Sequence, residues 1–483
     1  MRLPSLPHVR SPFLRNVTTA GGEILWHSLL GNPTQATAET LDVLRCFETP
    51  SSPETIASAL HLDALSREAL DGLIRASFIV PTSTDERQLL QSRIDYSTDV
   101  ATNGGRLDNL SLIVTDSCNF ACKYCIHNRN LSDSLRLLSI QKWMKVDVAT
   151  AAVDSFLQLA SRNKRTVVEI NFSGGEPLLN WRVVSTTLDY CRNRYGDRFN
   201  VEFSINTNAS LITSPIARKL REHRVKVSTS LDGGQPANDS VRITRNRKGS
   251  FDSIVRGLDV LDRCEHPAQS LAVTIDDNNF DVLDDAVFIV ANKFGIKNVR
   301  VDADVLGGTT RPVPEVIEKL QQLRRCGASF GIDVPGFWLR PAENLNETPI
   351  TDDVAFCGAV RGNSVCVSPS GDLFACGYSG APLGHISTFP DLCKPGTPYA
   401  RLIRRRSVGQ EPECHGCIVE GQCAGGCEIT REYACREGKA VSRMCDLYRT
   451  MFLELLKEEV DNTMDDAKGG ESWKSSKEEA SRS

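Results

Sequence analysis

No uninterrupted apolar run in the 483 residues approaches the ~18–20 that a membrane-spanning helix needs, so no membrane partner is expected. Nor is there an excess of positive charge. The 56 lysines and arginines face 61 aspartates and glutamates, a formal net charge of −5, which offers nucleic acid no basic footprint. The opening Met1-Arg2-Leu3-Pro4 leads into a stretch bearing proline and histidine and lacks the apolar core of a signal peptide. The expectation is a cytoplasmic protein, and in that reducing compartment a disulfide framework is not expected. The length predicts two to four domains of about 100–200 residues each.

Cysteine is what the chain has in excess. There are 17, an odd number, and position sorts them better than count. Three stand at 118, 122 and 125, and ten lie between 357 and 445, with more than 200 cysteine-poor residues between the groups. Cys46, Cys191, Cys264 and Cys326 are scattered and read as ordinary small buried residues. Two dense groups of thiols in a reducing compartment point to metal sites.

The first 98 residues carry neither group. Residues 23–33 read as a strand closed by a Gly/Pro turn, and Leu41, Val43, Leu44 and Phe47 fall at helical spacing. Ser51-Ser52-Pro53-Glu54 opens a second helix. A third, over about 66–77, turns Leu70, Leu73 and Ile74 inward before a strand at 78–81. Three helices with flanking strands make a winged-helix-like domain. It has no Lys/Arg-rich helix, so peptide docking or a structural role is expected rather than nucleic-acid binding. Over 105–335 apolar strands at 110–114, 167–172, 201–205, 225–230, 271–275 and 299–305 alternate with helical stretches. Six strand–helix units predict an α/β fold of parallel strands covered by helices, a partial barrel with its chemistry at the C-terminal strand ends. Residues 345–455 are rich in cysteine and glycine, as befits a domain built around inorganic centres. Residues 461–483 are nearly free of aliphatics and are expected to be a disordered tail.

The loop Thr115-Asp116-Ser117-Cys118-Asn119-Phe120-Ala121-Cys122-Lys123-Tyr124-Cys125 follows the first barrel strand. Its Cys-x3-Cys-x2-Cys spacing puts three thiolates on one tight loop. Three thiolates on a four-iron cubane leave one iron open to hold a substrate or cofactor. The same trio could be half of a zinc site completed elsewhere, although zinc loops usually present Cys-x2-Cys pairs.

With an aromatic before its third cysteine, the loop resembles the signature of the radical S-adenosylmethionine (SAM) superfamily. That resemblance implies a partial (β/α)6 radical SAM barrel. Ser173-Gly174-Gly175-Glu176-Pro177, after the second strand, is similar to the family's GGEP motif, whose backbone and glutamate contact the SAM amino group. Asn206-Thr207-Asn208 follows the third strand and Ser230-Leu231-Asp232-Gly233 the fourth, each similar to a family segment at that place. Asp239, Arg242 and Gly249-Ser250-Phe251 continue as in peptide- and protein-modifying members, with Asn238 where the family often has histidine. The resemblance implies SAM contacts from Gly174, Gly175, Glu176, Asn206, Ser230 and Arg242. Ser230 and Arg242 would hold the carboxylate, a task that suits an always-charged planar guanidinium. It also implies a [4Fe–4S] cluster on Cys118, Cys122 and Cys125 that cleaves SAM to methionine and a 5′-deoxyadenosyl radical, which abstracts a substrate hydrogen. The protein's part is to position and to exclude.

Downstream the cysteines read Cys357, Cys366, Cys376, then Cys414-x2-Cys417-x5-Cys423-x3-Cys427, and finally Cys445. Alone, the paired motifs are compatible with zinc. The whole segment resembles the SPASM domain, an iron–sulfur extension that binds two auxiliary [4Fe–4S] clusters, for three clusters in all. The resemblance assigns Cys357, Cys376 and Cys427 to the first auxiliary cluster and leaves Cys366 open as a further ligand. It assigns Cys414, Cys417, Cys423 and Cys445 to the second. Ligands from both ends of the segment would staple a domain with little core of its own. Arg361 stands where some members place another ligand. Gly377 stands where formylglycine-forming sulfatase maturases have a catalytic Asp, which argues against that reaction. Cys393 and Cys435 match no role and read as structural.

These features together suggest a radical SAM/SPASM peptide maturase acting on a ribosomally made precursor, with a side-chain crosslink as the favoured product. The N-terminal module resembles leader-peptide recognition domains, in which a strand of leader adds to a sheet edge. Expected partners are a precursor peptide with its leader and an external electron donor of flavodoxin or ferredoxin type. The alternatives are a sulfatase-maturase-like or small-molecule dehydrogenase role, or an iron–sulfur scaffold or redox sensor. Intact Glu176, Ser230 and Arg242 argue against the last. No catalytic residue is assigned, although Tyr378 beside Cys376 is a candidate.

Overall fold

The computed structural model describes residues 3–19, 22–125, 142–303, 309–346, 355–437 and 441–469. The N-terminal part opens with strand β1 (His8–Arg10) and an antiparallel meander of β2 (Leu14–Thr19), β3 (Gly22–His27) and β4 (Gly31–Ala36). Helices α1 (Ala38–Arg45), α2 (Pro53–Ala59) and α3 (Ala64–Arg75) follow. Each starts behind a polar residue, Thr37, Ser52 or Asp63, whose side chain accepts a first-turn N–H. Strand β5 (Ile79–Pro81) returns to pair with β1. The meander is apolar on both faces. Leu14, Leu25 and Ala36 pack with Phe47 and Phe78 over the three helices. Ile24 and Trp26 face the opposite way, onto Leu345, Val419, Phe452 and Leu456 of the C-terminal part.

Helix α4 (Glu86–Thr102) starts behind Asp85 and buries Leu90 and Ile94 against Leu29, Leu30 and Val408. The domain boundary expected at residue 98 therefore falls inside a helix. The stretch reads as polar because the surface that α4 covers belongs to two distant parts of the chain.

Six parallel strands then alternate with helices: β6 (Asn109–Thr115), α5 (Val146–Arg162), β7 (Val167–Gly174), α6 (Trp181–Tyr195), β8 (Asn200–Thr207) and α7 (Ser214–Glu222). The series continues with β9 (Lys226–Ser230), α8 (Gln235–Val241), α9 (Phe251–Arg263), β10 (Ser270–Ile275), α10 (Ala286–Lys293), β11 (Val299–Ala303) and α11 (Val313–Ser329). The strands pair in sequence order, all parallel. Leu110, Leu112, Val168, Ile170, Ile205, Val227, Leu271 and Val301 are fully buried at alternate positions, beneath the helices. The intervening positions are polar and linked across strands. Ser111 Oγ donates to Asn171 Oδ1 (3.2 Å), Asn171 Nδ2 to Ser204 Oγ (2.8 Å), and Ser204 Oγ to Glu169 Oε1 (2.6 Å). One face of the sheet is thus core and the other a hydrogen-bonding wall. The last expected strand, 299–305, runs to Ala303, and residues 304–308 lie outside the described residues.

Beyond the barrel come α12 (Arg340–Asn346), α13 (Gly358–Arg361), β12 (Ser364–Val367), β13 (Asp372–Phe374), β14 (Gly384–His385), α14 (Pro398–Arg405), α15 (Glu420–Cys423), α16 (Glu428–Glu437) and α17 (Ser442–Gly469). Strand β12 lies parallel to β6, Val365 opposite Leu110, and β13 and β14 add antiparallel, giving one sheet of nine strands. The first barrel strand, otherwise an open edge, is thereby paired on both sides. The tail expected from residue 461 needs correction in part: α17 runs on to Gly469, since each residue added to a nucleated helix gains a hydrogen bond at little cost. Residues 470–483 of that expectation lie outside the described residues. Among the described residues no helix is long and apolar enough to cross a membrane.

Candidate active site

Strand β6 delivers the three-cysteine loop at its C-terminal end. Thr115 Oγ1 accepts the Ser117 N–H (3.1 Å) and donates to the Lys142 carbonyl (2.9 Å), which turns the chain. The loop then lies along the segment after α8. Ala121 N donates to Ile243 O (2.7 Å), Lys123 N to Val241 O (2.9 Å), and Arg245 Nε to Cys118 O (2.5 Å). Cys122 is buried, and Cys118 and Cys125 are half-buried. Burial pushes the Cys118 thiol up and that of Cys122 to about 12, so binding a metal there displaces protons.

The glycine-rich segment is sewn onto this loop. Gly175 N donates to Thr115 O (2.8 Å) and Glu176 N to Ser117 O (2.9 Å). Glu176 is buried, and its carboxylate accepts three hydrogen bonds from the protein. Oε1 takes the Leu178 N–H (3.0 Å) and the Thr207 hydroxyl (2.7 Å), and Oε2 takes the Asn208 N–H (2.7 Å). The carboxylate that the resemblance turns toward the SAM amino group is, in this geometry, a tie between the ends of β7 and β8. Burial raises it to about 7. A carboxyl raised in the folded state stabilises fully below its ordinary value near 4.5, and that contribution is lost as pH rises through about 7. We expect Glu176→Gln to flatten the fall in apoprotein stability over this window, an effect of up to about 3 kcal/mol. Thermal unfolding against pH reads it, and an identical slope in the variant would count against it.

Asn206, named from sequence, is exposed, and its Nδ2 lies 3.5 Å from Asn171 Oδ1. Its neighbour Asn208 is the one at the cysteine loop, with Nδ2 2.9 Å from Asn119 Oδ1 and 3.9 Å from Cys118 Sγ. The signal that could have found it is its position one residue beyond the strand end, where side chains turn over the barrel mouth. Arg242 is almost fully buried. Its Nε stands 2.7 Å from Asp232 Oδ2, an ion pair whose N–H does not point at the oxygen, and its guanidinium lies 5.4 Å from the Tyr124 ring centroid. Tyr124 OH donates to the same Oδ2 (2.5 Å), while Asp232 Oδ1 accepts the Thr274 N–H (2.8 Å). Asp232, absent from the sequence-derived set, is therefore what aims Arg242. Buried Asn238 holds this corner together, accepting the Asp232 N–H (3.3 Å) and donating to Asp239 Oδ1 (2.9 Å) and Ser250 Oγ (3.1 Å). Ser230, at the end of β9, makes no side-chain hydrogen bond among the described residues. A trio of thiols on the loop after β6, a guanidinium held at the end of α8 and an unengaged hydroxyl at the end of β9 are groups that fit a cluster with an amino-acid headgroup beside it.

The C-terminal thiols fall into two gatherings. Cys376, half-buried, sits within electrostatic reach of Cys366, Cys427 and Cys357. Cys423, Cys414, Cys417 and Cys445 act on one another in the same way. Cys366 also packs against Ile113 and Phe374. Cys393 is buried in the main core and Cys435 is exposed. Among the described residues no three or more His, Cys, Asp and Glu converge as ligands of a single ion. Cubane ligands, spread over several irons, need no such convergence. The N-terminal part covers the second gathering. Trp26 Nε1 donates to Ile418 O (2.8 Å), Gly421 N to Ser28 O (2.7 Å), and Arg87 forks onto the buried Glu420 carboxylate at 2.8 and 3.1 Å.

Six parallel strands under helices, with a three-cysteine loop leaving the first of them, are the arrangement expected of a SAM-dependent iron–sulfur enzyme. Residues 112–290 match the family described as the Radical SAM superfamily, and this segment is a domain of that superfamily. It is 26% identical over 370 residues to the radical SAM cyclopropyl synthase TigE of Paramaledivibacter caminithermalis, covering 74% of this chain and 75% of that protein. It is also 26% identical over 330 residues to the mycofactocin maturase MftC of Mycolicibacterium smegmatis, 65% of this chain and 76% of the relative. Among solved structures, native anSMEcpe with bound AdoMet superposes with a TM-score of 0.59 at 18% identity, over 74% of this chain and 99% of the other, a likeness of fold.

Proposed function

We propose that the chain is a peptide maturase of the SPASM type, carrying three [4Fe–4S] clusters and acting on a ribosomal precursor peptide, with a side-chain crosslink as product. The observation that carries the proposal is the sorting of eight downstream cysteines into two gatherings of four beside a barrel that presents a third group, the thiol trio. Cys357, Cys376 and Cys427, with Cys366, are the ligands of one auxiliary cluster, and Cys414, Cys417, Cys423 and Cys445 those of the other. The maturase among the relatives supports a peptide substrate.

Bound together, SAM and its cluster supply a one-electron cleavage to methionine and a 5′-deoxyadenosyl radical that takes a hydrogen atom from the substrate. The chain's own residues hold and orient. Cys118, Cys122 and Cys125 anchor three irons. Ser230 and Arg242 take the SAM carboxylate, with Asp232 and Tyr124 locking the guanidinium, and Gly174, Gly175 and Asn206 line the same strand ends. Glu176 fixes the glycine segment against the loop. The polar wall of Ser111, Asn171 and Ser204 offers hydrogen bonds to a peptide main chain entering the barrel. Electrons come from an external flavodoxin- or ferredoxin-type donor.

The N-terminal part is read as a winged-helix-like leader-recognition domain. The middle of β4, Pro33 to Gln35, is exposed at the end of the meander, a strand edge on which leader backbone can pair. Thr34→Pro, which deletes an N–H there, is expected to weaken precursor capture several-fold without loss of iron. Equal capture would remove the edge from the proposal. Deleting residues 1–98 is a poorer test, because it uncovers the Cys414–Cys423 segment.

Two measurements test the core of the proposal. Anaerobically reconstituted protein is expected to hold about twelve iron and twelve sulfide per chain, four of each per cluster. About four iron with stoichiometric zinc would end the three-cluster reading. Incubated with SAM and dithionite, the same protein is expected to release methionine and 5′-deoxyadenosine, and their absence at full iron loading would leave an iron–sulfur scaffold.

A further inference from the structure

The two gatherings of thiols differ in the charge around them. In the second, Arg431 Nη2 lies 3.6 Å from Cys414 Sγ, and the Arg449 guanidinium stands near the Cys417 and Cys445 thiols. Both arginines act on Cys445, ahead of its neighbouring thiol. Buried Arg406 acts on Cys423 from its ion pairs with Glu411 (2.6 Å) and Glu428 (2.8 Å). Carboxylates offset part of this charge: Glu411 and Glu413 stand 3.5 Å from Arg431 Nη1, and Asp446 accepts from Arg449 at 2.5 Å. At Cys414 the influence of Arg431 still exceeds that of Glu411.

The first gathering has a different environment. Around Cys376 and Cys427 the dominant influences are burial, neighbouring thiols and backbone N–H groups. Arg406 also reaches this side, donating to the Gly426 carbonyl next to Cys427 (2.7 Å), with its charge offset by Glu428 (2.8 Å), and a neutral polar side chain stands near thiols of both gatherings. Tyr448, 1% exposed and stacked on Phe356 at 5.6 Å, sits near Cys427, Cys423 and Cys357, with its hydroxyl unpartnered among the described residues.

A reduced cluster carries one more negative charge than an oxidised one. Hydrogen bonds to its sulfurs and nearby guanidinium charge therefore favour the reduced form and raise the reduction potential. We infer that Cys414, Cys417, Cys423 and Cys445 hold the higher-potential auxiliary cluster, and that Arg431 and Arg449 set this order. The inference rests on the proposal that both gatherings bind [4Fe–4S] clusters. One electron passing between them oxidises the cluster at Cys357, Cys376 and Cys427 and reduces the other, with no bond made or broken. The downhill direction runs from the gathering beside β6 toward the one under the N-terminal meander.

The test is a potentiometric titration of the anaerobically reconstituted full chain, followed by electron paramagnetic resonance, with iron counted on the same samples. In Cys357→Ala/Cys376→Ala, which retains only the second auxiliary signal, the higher midpoint is expected to persist. Arg431→Gln and Arg449→Gln are each expected to lower that midpoint, Arg431→Lys and Arg449→Lys to restore much of it, and none to move the midpoint of the Cys118–Cys122–Cys125 cluster. A higher midpoint that vanishes in the double cysteine variant, or midpoints unmoved in both Arg→Gln variants, would overturn the inference and leave the three-cluster reading standing. Wild-type iron of about four per chain would overturn that reading and the inference with it.

Discussion

Cys122→Ala is expected to abolish 5′-deoxyadenosine formation and to remove about four iron per chain, leaving the auxiliary iron in place. Cys122 is the buried member of the trio, and the backbone N–H groups on either side of it are bonded to the segment after α8. No neighbouring thiol can swing in to replace it. The loss should exceed the ~10–100-fold typical of removing an outer-shell partner of a metal site, because a ligand itself is gone. Cys264→Ala, half-buried and far from either cysteine-rich segment in sequence, serves as the control and should keep both iron and activity. Iron unchanged in Cys122→Ala would remove the trio from the cluster.

Gly174→Ala is expected to be strongly damaging although it removes no cluster ligand. The backbone there has φ of +138°, where side chains are strongly disfavoured, and a Cβ would fall on the Thr115 carbonyl oxygen. Residues 115 and 174 are opposite each other where β6 and β7 end. Relief would have to move Thr115, whose hydroxyl turns the chain toward the cysteines, together with the Gly175 and Glu176 N–H bonds onto the loop. We expect a destabilisation of about 3 kcal/mol or more and a parallel loss of SAM binding. Gly331→Ala provides the contrast: φ is also positive, at +64°, but nothing stands within 4 Å of the added Cβ, so a cost of about 1 kcal/mol is expected. Unfolding transitions and SAM binding of the two variants, measured together, decide the matter. Equal effects would mean that Gly174 matters only through its backbone angle.

The barrel was readable because its signals are local. Period-2 apolar residues such as Leu110 and Leu112 mark strands wherever they are placed, and a strand end followed by cysteines, by Gly174-Gly175-Glu176 or by Ser230 marks the mouth without knowledge of the fold. Asp232 and Asn208 were passed over because their importance is relational. One aims Arg242 and the other approaches Cys118, and neither partner is a sequence neighbour. The turn motif Asn206-Thr207-Asn208 does not say which of its two asparagines faces the cysteine loop, and it is Asn208 that lies beside Asn119. Helix α4 was missed because its apolar residues are matched to surfaces at Leu29 and Val408 rather than to a stripe of its own.

The sequence by itself determined that three thiols stand on one loop at the end of the first barrel strand, that six strand–helix units follow in order, and that ten more cysteines crowd the C-terminal part. Spacing of this kind is covalent, and no packing can alter it. Only the tertiary structure decided that β12 closes the barrel's first edge, and that the N-terminal meander packs over the second gathering through contacts such as Trp26 to Ile418, 392 positions apart. Such pairings depend on which surfaces meet once every strand has found its neighbour. So does the asymmetry of charge between the two gatherings, since Arg431 and Arg449 reach their sulfurs from helices α16 and α17, and a linear chain does not show which cysteine a helix will face.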